Sequence, residues 1–499
     1  MSPGMVKNLF GSKLRCGLHG VQRSLPCPDP QTVNRLNGES FQQDALVTFG
    51  AYQYAVHYLP STTNASVRHP ALSRRALDGS SSGPWQTATF ADYDQTDDDG
   101  HNIISLGISP GDGTLHLAFD QHDNPLNYRI SEAALATSPP PDSAWANITA
   151  LFSPVMNFLP NLTELDKDTY FINITYPRFL RVPEGLRGED KPDLVLELRV
   201  GRSGLGDDWL YTYAPGEGWA LVGRYLEGVN NNAYINGLDF DLRGNLHVTW
   251  TYRDYVNDIG QNVAVEAGPN GPENNHDLNY AFSPPGASPL MTWKNNWGQM
   301  VGNLSASDVP LDAEPILPNS AGIVMFGIPK YGGILNQEAQ TVDRDGRVHV
   351  LNRENTTGVE RWYHYWRSTT GDWTRTPLPL TFDPPSVNNV TGTPTVIGKR
   401  GKLVAIPPSQ SPAPLFDSSF PTTLLYVLPS NAANSSALTI LASTAPGHFR
   451  DWRVVWEVSA GCGWEPLFDR YRLEKDGVLS FYLVNGTDVG VLDLGMEGL

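Results

Sequence analysis

Gly113-Thr114-Leu115-His116-Leu117 returns as Gly244-Asn245-Leu246-His247-Val248 and again as Gly346-Arg347-Val348-His349-Val350, with a weaker copy at Gly401-Lys402-Leu403-Val404. Each full copy follows a turn-forming stretch: Pro110-Gly111-Asp112, Asp241-Leu242-Arg243 and Asp343-Arg344-Asp345. A turn of this kind running into alternating apolar residues reads as a β-turn that feeds a strand. Recurrence at one to three multiples of about 45 residues marks a stacked or radial repeat. Matching second halves lie between the copies, at Pro125–Ser131, Asp277–Ser283 and Trp362–Ser368, and Trp293 and Trp373 follow two of them. These are short alternating strands, and helical periodicity is nearly absent. Short strands, polar turns and four-strand repeats predict an all-β, seven-bladed β-propeller with its active site in the central pocket on one face. The blades are expected to begin near residues 45, 101, 176, 235, 320, 392 and 451. An N-terminal arm over residues 1–40, poorly structured or packed on the propeller, precedes a single catalytic propeller over 41–499. A β-sandwich with a long decoration is the alternative fold.

Composition agrees with many tight turns. The 499 residues include 47 Gly and 40 Pro, which excludes a coiled coil or helical bundle. With 40% hydrophobic and 10% aromatic residues the chain is not a disordered tail. A net charge of −18 argues against nucleic acid as a partner. No apolar run reaches membrane-spanning length, so no membrane partner is expected, and the chain is read as a monomer. Nine N-x-[ST] sequons, at Asn64, Asn147, Asn161, Asn173, Asn303, Asn355, Asn389, Asn434 and Asn485, favour a secreted glycoprotein. The stretch Met1–Gly20 lacks the apolar run of a secretory signal, which a trimmed start would reconcile with secretion. Cys16 and Cys27 are close enough to staple the arm, which would leave Cys462 unpaired; three cysteines make no disulfide framework.

Candidate chemistry follows from the strand directions. His101 precedes one inner strand and His122 follows the next, so antiparallel pairing returns both to one face. The same geometry brings Tyr176, at a strand start, and Arg199, at the end of its partner, to that face; in the fourth blade it brings Arg253 and the Asn274–Asp277 segment. Two imidazoles exchange protons near neutral pH, Tyr is a further proton carrier, and Arg forks onto carboxylates. Such a patch binds a carboxylate, acidifies the adjacent carbon and moves a proton to a leaving oxygen. His116, His247 and His349 repeat at one strand position, and their expected role is packing or a turn hydrogen bond.

Several phrases together resemble the BNR-repeat family of polysaccharide lyases, seven-bladed propellers that include ulvan lyases and fungal L-rhamnose-α-1,4-D-glucuronate lyases. They are D-G-H-N at 99–102, G-T-L-H-L-A-F-D-Q-H at 113–122, T-Y-P-R-F at 175–179, the Gly-rich run from Arg199 to Asp207, and N-H-D-L-x-Y at 275–280. The resemblance covers about residues 45–380 and reaches the last two blades only by strand pattern. It implies β-elimination at the 4-O-glycosidic bond of a uronate, leaving a 4,5-unsaturated uronic acid. The implied active-site residues are His101, His122, Tyr176 and, for carboxylate neutralisation, Arg199. His122 and Tyr176 would share the base and acid roles, with His101 holding substrate or serving as the alternative base. Asn102, Arg253 and His276 are the candidate substrate contacts. The expected partner is an acidic polysaccharide or oligosaccharide, with a rhamnose-capped glucuronate in a branched gum preferred over ulvan cleaved endo-fashion, because the net charge of −18 repels a dense polyanion.

The chain departs from the family in two respects. Some relatives hold a structural zinc with His and Cys, but Asn279 replaces the soft ligand here. His276, His349 and His364 could still gather around a metal, but tetrahedral zinc wants a better ligand set, so zinc is disfavoured; no cofactor is required, and a structural calcium ion stays open. The Asp-box motif of such propellers survives only as Ser283-Pro284-Pro285-Gly286 and Thr292-Trp293. An insertion at Pro183–Lys191 lengthens the turn between Tyr176 and Arg199 and is expected on the far face rather than over the pocket. Two competing readings are a sialidase-like glycoside hydrolase, which the His pair and degraded Asp box disfavour, and a non-catalytic sugar-binding propeller.

Overall fold

The computed structural model describes residues 24–495 apart from 31, 33, 42–43, 79–80, 189–190, 203, 254–273, 287–289, 307–312, 382–398, 407–421, 433–434 and 487. The described strands form seven antiparallel sheets arranged as a β-propeller. The first strands of the first four blades are Leu46–Phe49, Ile104–Ile108, Ile174–Arg181 and Ala233–Phe240, within a few residues of the expected starts. Those of the last three are Ala339–Val342, Lys402–Ala405 and Leu467–Phe468, later than expected. The reasons are local. The described part of residues 304–338 is a connection in which the strand Val324–Phe326 pairs back onto Asn275–Ser283 of the fourth blade. The stretch from 453 is the outer strand of the sixth blade, Arg453–Val458, rather than the start of the seventh. The start expected near 392 lies outside the described residues.

The ring is closed by the N-terminal segment. Ser24–Pro28 pairs antiparallel with Asp488–Gly495, so the seventh blade is built from both ends of the chain. The propeller therefore takes in the latter part of the arm expected over 1–40. Cys16 lies outside the described residues, and Cys462 is buried with its thiol donating to the Trp464 carbonyl at 3.0 Å. A closed ring removes exposed sheet faces by packing each blade against the next. Tyr128, Phe179, Leu196 and Trp209 fill the interface of the second and third blades. Leu210, Tyr225, Trp250 and Trp293 fill the next, with Tyr225 stacked on Trp293 at 4.8 Å between centroids. Burying each such side chain stabilises the fold by about 1.5–3 kcal/mol.

The recurring phrase works as expected. Gly113, Gly244 and Gly346 have φ of 70°, 87° and 84°, a region that the turn requires and that only Gly enters at no cost. Each histidine then ties its turn to the neighbouring strand. His116 bonds Thr114 and the Tyr128 hydroxyl at 2.8 and 2.6 Å. His247 joins Asp241 to the Tyr280 hydroxyl, and His349 joins Asp343 to His364.

Burial pulls the His116 pKa down to about 3, so the folded ring stays neutral where the unfolded one takes up a proton. Its contribution is complete above the unfolded value of about 6.5 and is lost as pH falls towards about 3. Between pH 7 and pH 5 this term should remove about 2 kcal/mol of stability. Denaturant unfolding of His116→Asn, which stays neutral, should lose about that much less than the parent over the same interval. Equal pH slopes for the two proteins would refute a neutral, desolvated His116.

Candidate active site

The inner strands bring the expected His pair together through an acid, Asp99. Asp99 lies in the loop before Ile104–Ile108, and its Oδ1 accepts from His101 Nδ1 at 2.5 Å and from the His101 backbone N–H at 3.0 Å. Its Oδ2 accepts from His122 Nδ1 at 2.6 Å. The two imidazoles stack with centroids 3.9 Å apart and planes 22° from parallel. Burial pushes the Asp99 carboxyl up, but the hydrogen bonds from both histidines outweigh it and hold the group well below the usual carboxylate range. An ionised Asp99 fixes both rings with hydrogen on Nδ1, leaving each Nε2 for proton exchange. For His101, desolvation and the charges of His122 and Arg199 pull the pKa down against the opposing pull of Asp99.

Tyr176 enters from the third blade by a strained route. Pairing of Ile174–Arg181 with Leu194–Val200 slips between Thr175 and Arg178, and Tyr176 takes φ of 59°. A bulky residue held there costs about 1–3 kcal/mol, the kind of strain that concentrates at functional sites. The bulge turns the ring inward, 5.8 Å from His101 and under the Arg199 guanidinium at 5.2 Å. Burial and neighbouring Tyr234 raise the phenol pKa well above its usual range, against the pull of Arg199 and Arg253, so the hydroxyl keeps its proton. Asp120 and Asp123 also have positive φ, 58° and 57°, where the chain leaves the second blade and lays His122–Asn124 along the edge of the third. Thr175 is thereby paired with both His122 and Arg199.

Arg199 is where the strand argument places it, but it is not bare. Its Nη2 donates to Asp123 Oδ1 at 2.9 Å and to Thr175 Oγ1 at 3.0 Å, and its side chain is 2% exposed. Asp123 thus covers part of the guanidinium and is the group an incoming carboxylate must share it with. Arg253 approaches from the fourth blade, over the Tyr234 ring at 4.7 Å, held by Asn275 at 2.8 Å and Asn336 at 3.0 Å. Tyr234 in turn touches Tyr176, with centroids 6.2 Å apart. Asn275, not His276, faces Arg253; His276 alternates to the other side of its strand, against Tyr252 and Asp277. Asn102 is buried beside the loop, and its N–H donates to the Asp99 carbonyl at 3.0 Å.

Residues unforeseen from the sequence are Asp99 as the bridge, Asp123, Tyr234 and Phe41. Phe41 stacks on His101 at 5.7 Å and meets Tyr176 edge-on at 5.1 Å. The D-x-H spacing carried a signal for Asp99; nothing local marked Phe41. The histidines considered for zinc do not gather: His349 and His364 bond each other, while His276 bonds Asp277. Asn279 donates to the Trp250 carbonyl. That set does not fit a zinc ion. The insertion leaves the strand at the end remote from Tyr176, and Leu186 lies against the Gly244 turn, on the face opposite the histidines. Residues 189–190 of it lie outside the described residues.

A seven-bladed propeller with a carboxylate-bridged His pair beside a buried Tyr and Arg is therefore the class defined by fold and site. A family model described as BNR repeat-containing family member matches residues 52–380, and the chain belongs to that family. It is 26% identical over 288 residues to the long isoform of an ulvan lyase from Alteromonas sp. (strain LOR) and 26% identical over 292 residues to that from Pseudoalteromonas sp. (strain PLSV). Each match takes in 52% of this chain but only 26% of the relative's length. In fold it is similar to the polysaccharide lyase Uly1, with a TM-score of 0.63 and 17% identity over 93% of this chain and 91% of that one. It is also similar to a PL25 ulvan lyase solved with -[GlcA(1-4)Rha3S]- bound, with a TM-score of 0.60 and 13% identity over 95% and 96% of the two chains.

Proposed function

We propose that the chain is a polysaccharide lyase that cleaves the 4-O-glycosidic bond of a uronate by β-elimination. The observation that carries this reading is the Asp99-bridged His pair beside Tyr176 and Arg199. Nε2 of His122 removes the C5 proton, with His101 the alternative base. Arg199 stabilises the charge that develops on the carboxylate as the C5–H bond breaks. The C4–C5 double bond forms, the C4–O bond breaks, and its electron pair leaves on the oxygen, which takes the Tyr176 hydroxyl proton. Asn102 and Arg253 are assigned to substrate binding, and His276 only a supporting place behind Asn275. The charge chemistry rests on arginine and needs no cofactor.

The preferred substrate is a glucuronate capped by a neutral rhamnose, for the charge reason given above. The second reading, an endo-acting ulvan lyase, is favoured by the names of the curated relatives. Incubation with a branched gum and with a sulfated ulvan tests both, following the ultraviolet absorbance of the unsaturated uronate. Faster turnover on ulvan would select the second reading. Reducing sugar without an ultraviolet rise would mean a hydrolase, and depletion onto the polymer with neither signal a lectin.

Secretion and a monomeric state belong to the same proposal; mass in solution tests the latter. No helix among the described residues is long and apolar enough to cross a membrane. Asn64 and Asn147 are exposed, whereas Asn355 is 2% exposed; Asn389 and Asn434 lie outside the described residues. Mass spectrometry of material from a secreting eukaryotic host should find glycan at Asn64 and Asn147 and none at Asn355. Asn64 and Asn147 both bare, in protein recovered from the medium, would count against that assignment.

A further inference from the structure

We propose that Asp99, His101 and His122 form a binding site for a divalent transition-metal ion of the zinc type. One nitrogen from each imidazole and one Asp99 oxygen all lie within 4.8 Å of one another, the one such grouping among the described residues. The two stacked rings, 3.9 Å apart, aim both Nδ1 atoms at one carboxylate, so the donors already converge before any ion arrives. Two imidazoles and a carboxylate suit zinc, copper or nickel, whereas calcium and magnesium prefer oxygen ligands throughout. Tetrahedral zinc with ligand distances of about 2.0–2.2 Å separates its donors by about 3.3–3.6 Å. The Nδ1–carboxylate distances of 2.5 and 2.6 Å must therefore open by about 1 Å. Asp99 can retreat, because its side chain is 38% exposed on a loop. The His101 side chain is also 38% exposed, so solvent reaches the group. This site is separate from the His276, His349 and His364 set, which does not gather.

Proton balance fixes the consequence. A neutral imidazole carries one N–H, and metal at Nδ1 moves that hydrogen to Nε2, with no net proton released. Nε2 then becomes a donor and ceases to be a base. An occupied site cannot remove the C5 proton, a consequence that rests on the lyase reading above.

Calorimetric titration of the full chain with zinc chloride tests the site. One ion per chain with micromolar affinity is expected, weakened about tenfold or more in His101→Ala, His122→Ala and Asp99→Asn, each checked by circular dichroism. Asp99→Asn keeps the side-chain shape, so it reports on the site even if a histidine variant misfolds. Cobalt(II) should show the visible bands of a low-coordinate nitrogen–oxygen site, lost in Asp99→Asn. No binding below millimolar zinc, or affinity unchanged in the folded variants, overturns the proposal. If zinc binds as described and no polymer yields an ultraviolet rise, the lyase reading fails and the metal site stands. If turnover is present and persists at saturating zinc, the placement of the ion on the two Nδ1 atoms is overturned.

Discussion

Tyr176→Phe is expected to lower turnover by about 10²–10⁴-fold while leaving the propeller folded. The substitution removes one oxygen. It keeps the ring that meets Phe41 edge-on and lies under the Arg199 guanidinium, so the small buried cluster of Phe41, Ile103, Tyr176 and Tyr234 is preserved. What disappears is the proton that the raised phenol pKa keeps in place for the leaving 4-O. Loss of a group that acts only as the C4–O bond breaks lowers kcat and leaves KM nearly unchanged. Steady-state rates by ultraviolet absorbance measure this directly. Near-parental kcat would remove Tyr176 from proton transfer and leave the strained φ of 59° without the proposed purpose.

Arg199→Ala is expected to cost about 10²–10³-fold in rate, the usual loss when one group stabilising a developing anion is removed. The effect has two sources. The enolate-like charge loses its nearest guanidinium, and Asp123, now without its partner at 2.9 Å, adds a negative charge where the substrate carboxylate must bind. Arg199→Lys separates them: a lysine charge still pairs with Asp123 but cannot fork onto a carboxylate. That variant should recover part of the rate, with KM remaining high. Parental kinetics in Arg199→Ala would reduce the residue to a structural partner of Asp123 and Thr175.

The propeller was legible because its turns repeat chemically. A Gly at positive φ followed three residues on by a His that bonds back to the turn is a local device, and local devices survive in the sequence as motifs. The pairing of His101 with His122, and of Tyr176 with Arg199, could be read from strand direction alone. Bridging by Asp99 was half legible, since the D-x-H spacing is local while the bond to His122 spans 23 residues. Phe41 and Tyr234 were not legible, because their contacts with Tyr176 come from remote segments and neither carries a motif. The late blades were misplaced where residues 304–338 intervene as a long connection and where the Arg453–Val458 strand belongs to the preceding sheet. The choice of Asn275 over His276 at Arg253 turns on one step of strand alternation, which the N-H-D-L motif does not fix.

The clasp between Ser24–Pro28 and Asp488–Gly495 imposes an order of events during synthesis. At about 5–20 residues per second, the early strand emerges and then waits from tens of seconds to more than a minute for its partner to be made. During that time its unpaired edge is open to any other strand, including one from a neighbouring nascent chain. Six blades can stack while the ring is still an open arc, and the last register locks only when Val489 and Val491 reach Cys27 and Ser24. Yield of the native protein should therefore be limited by how well that waiting strand is shielded, a property of the ribosome-bound chain rather than of the finished ring.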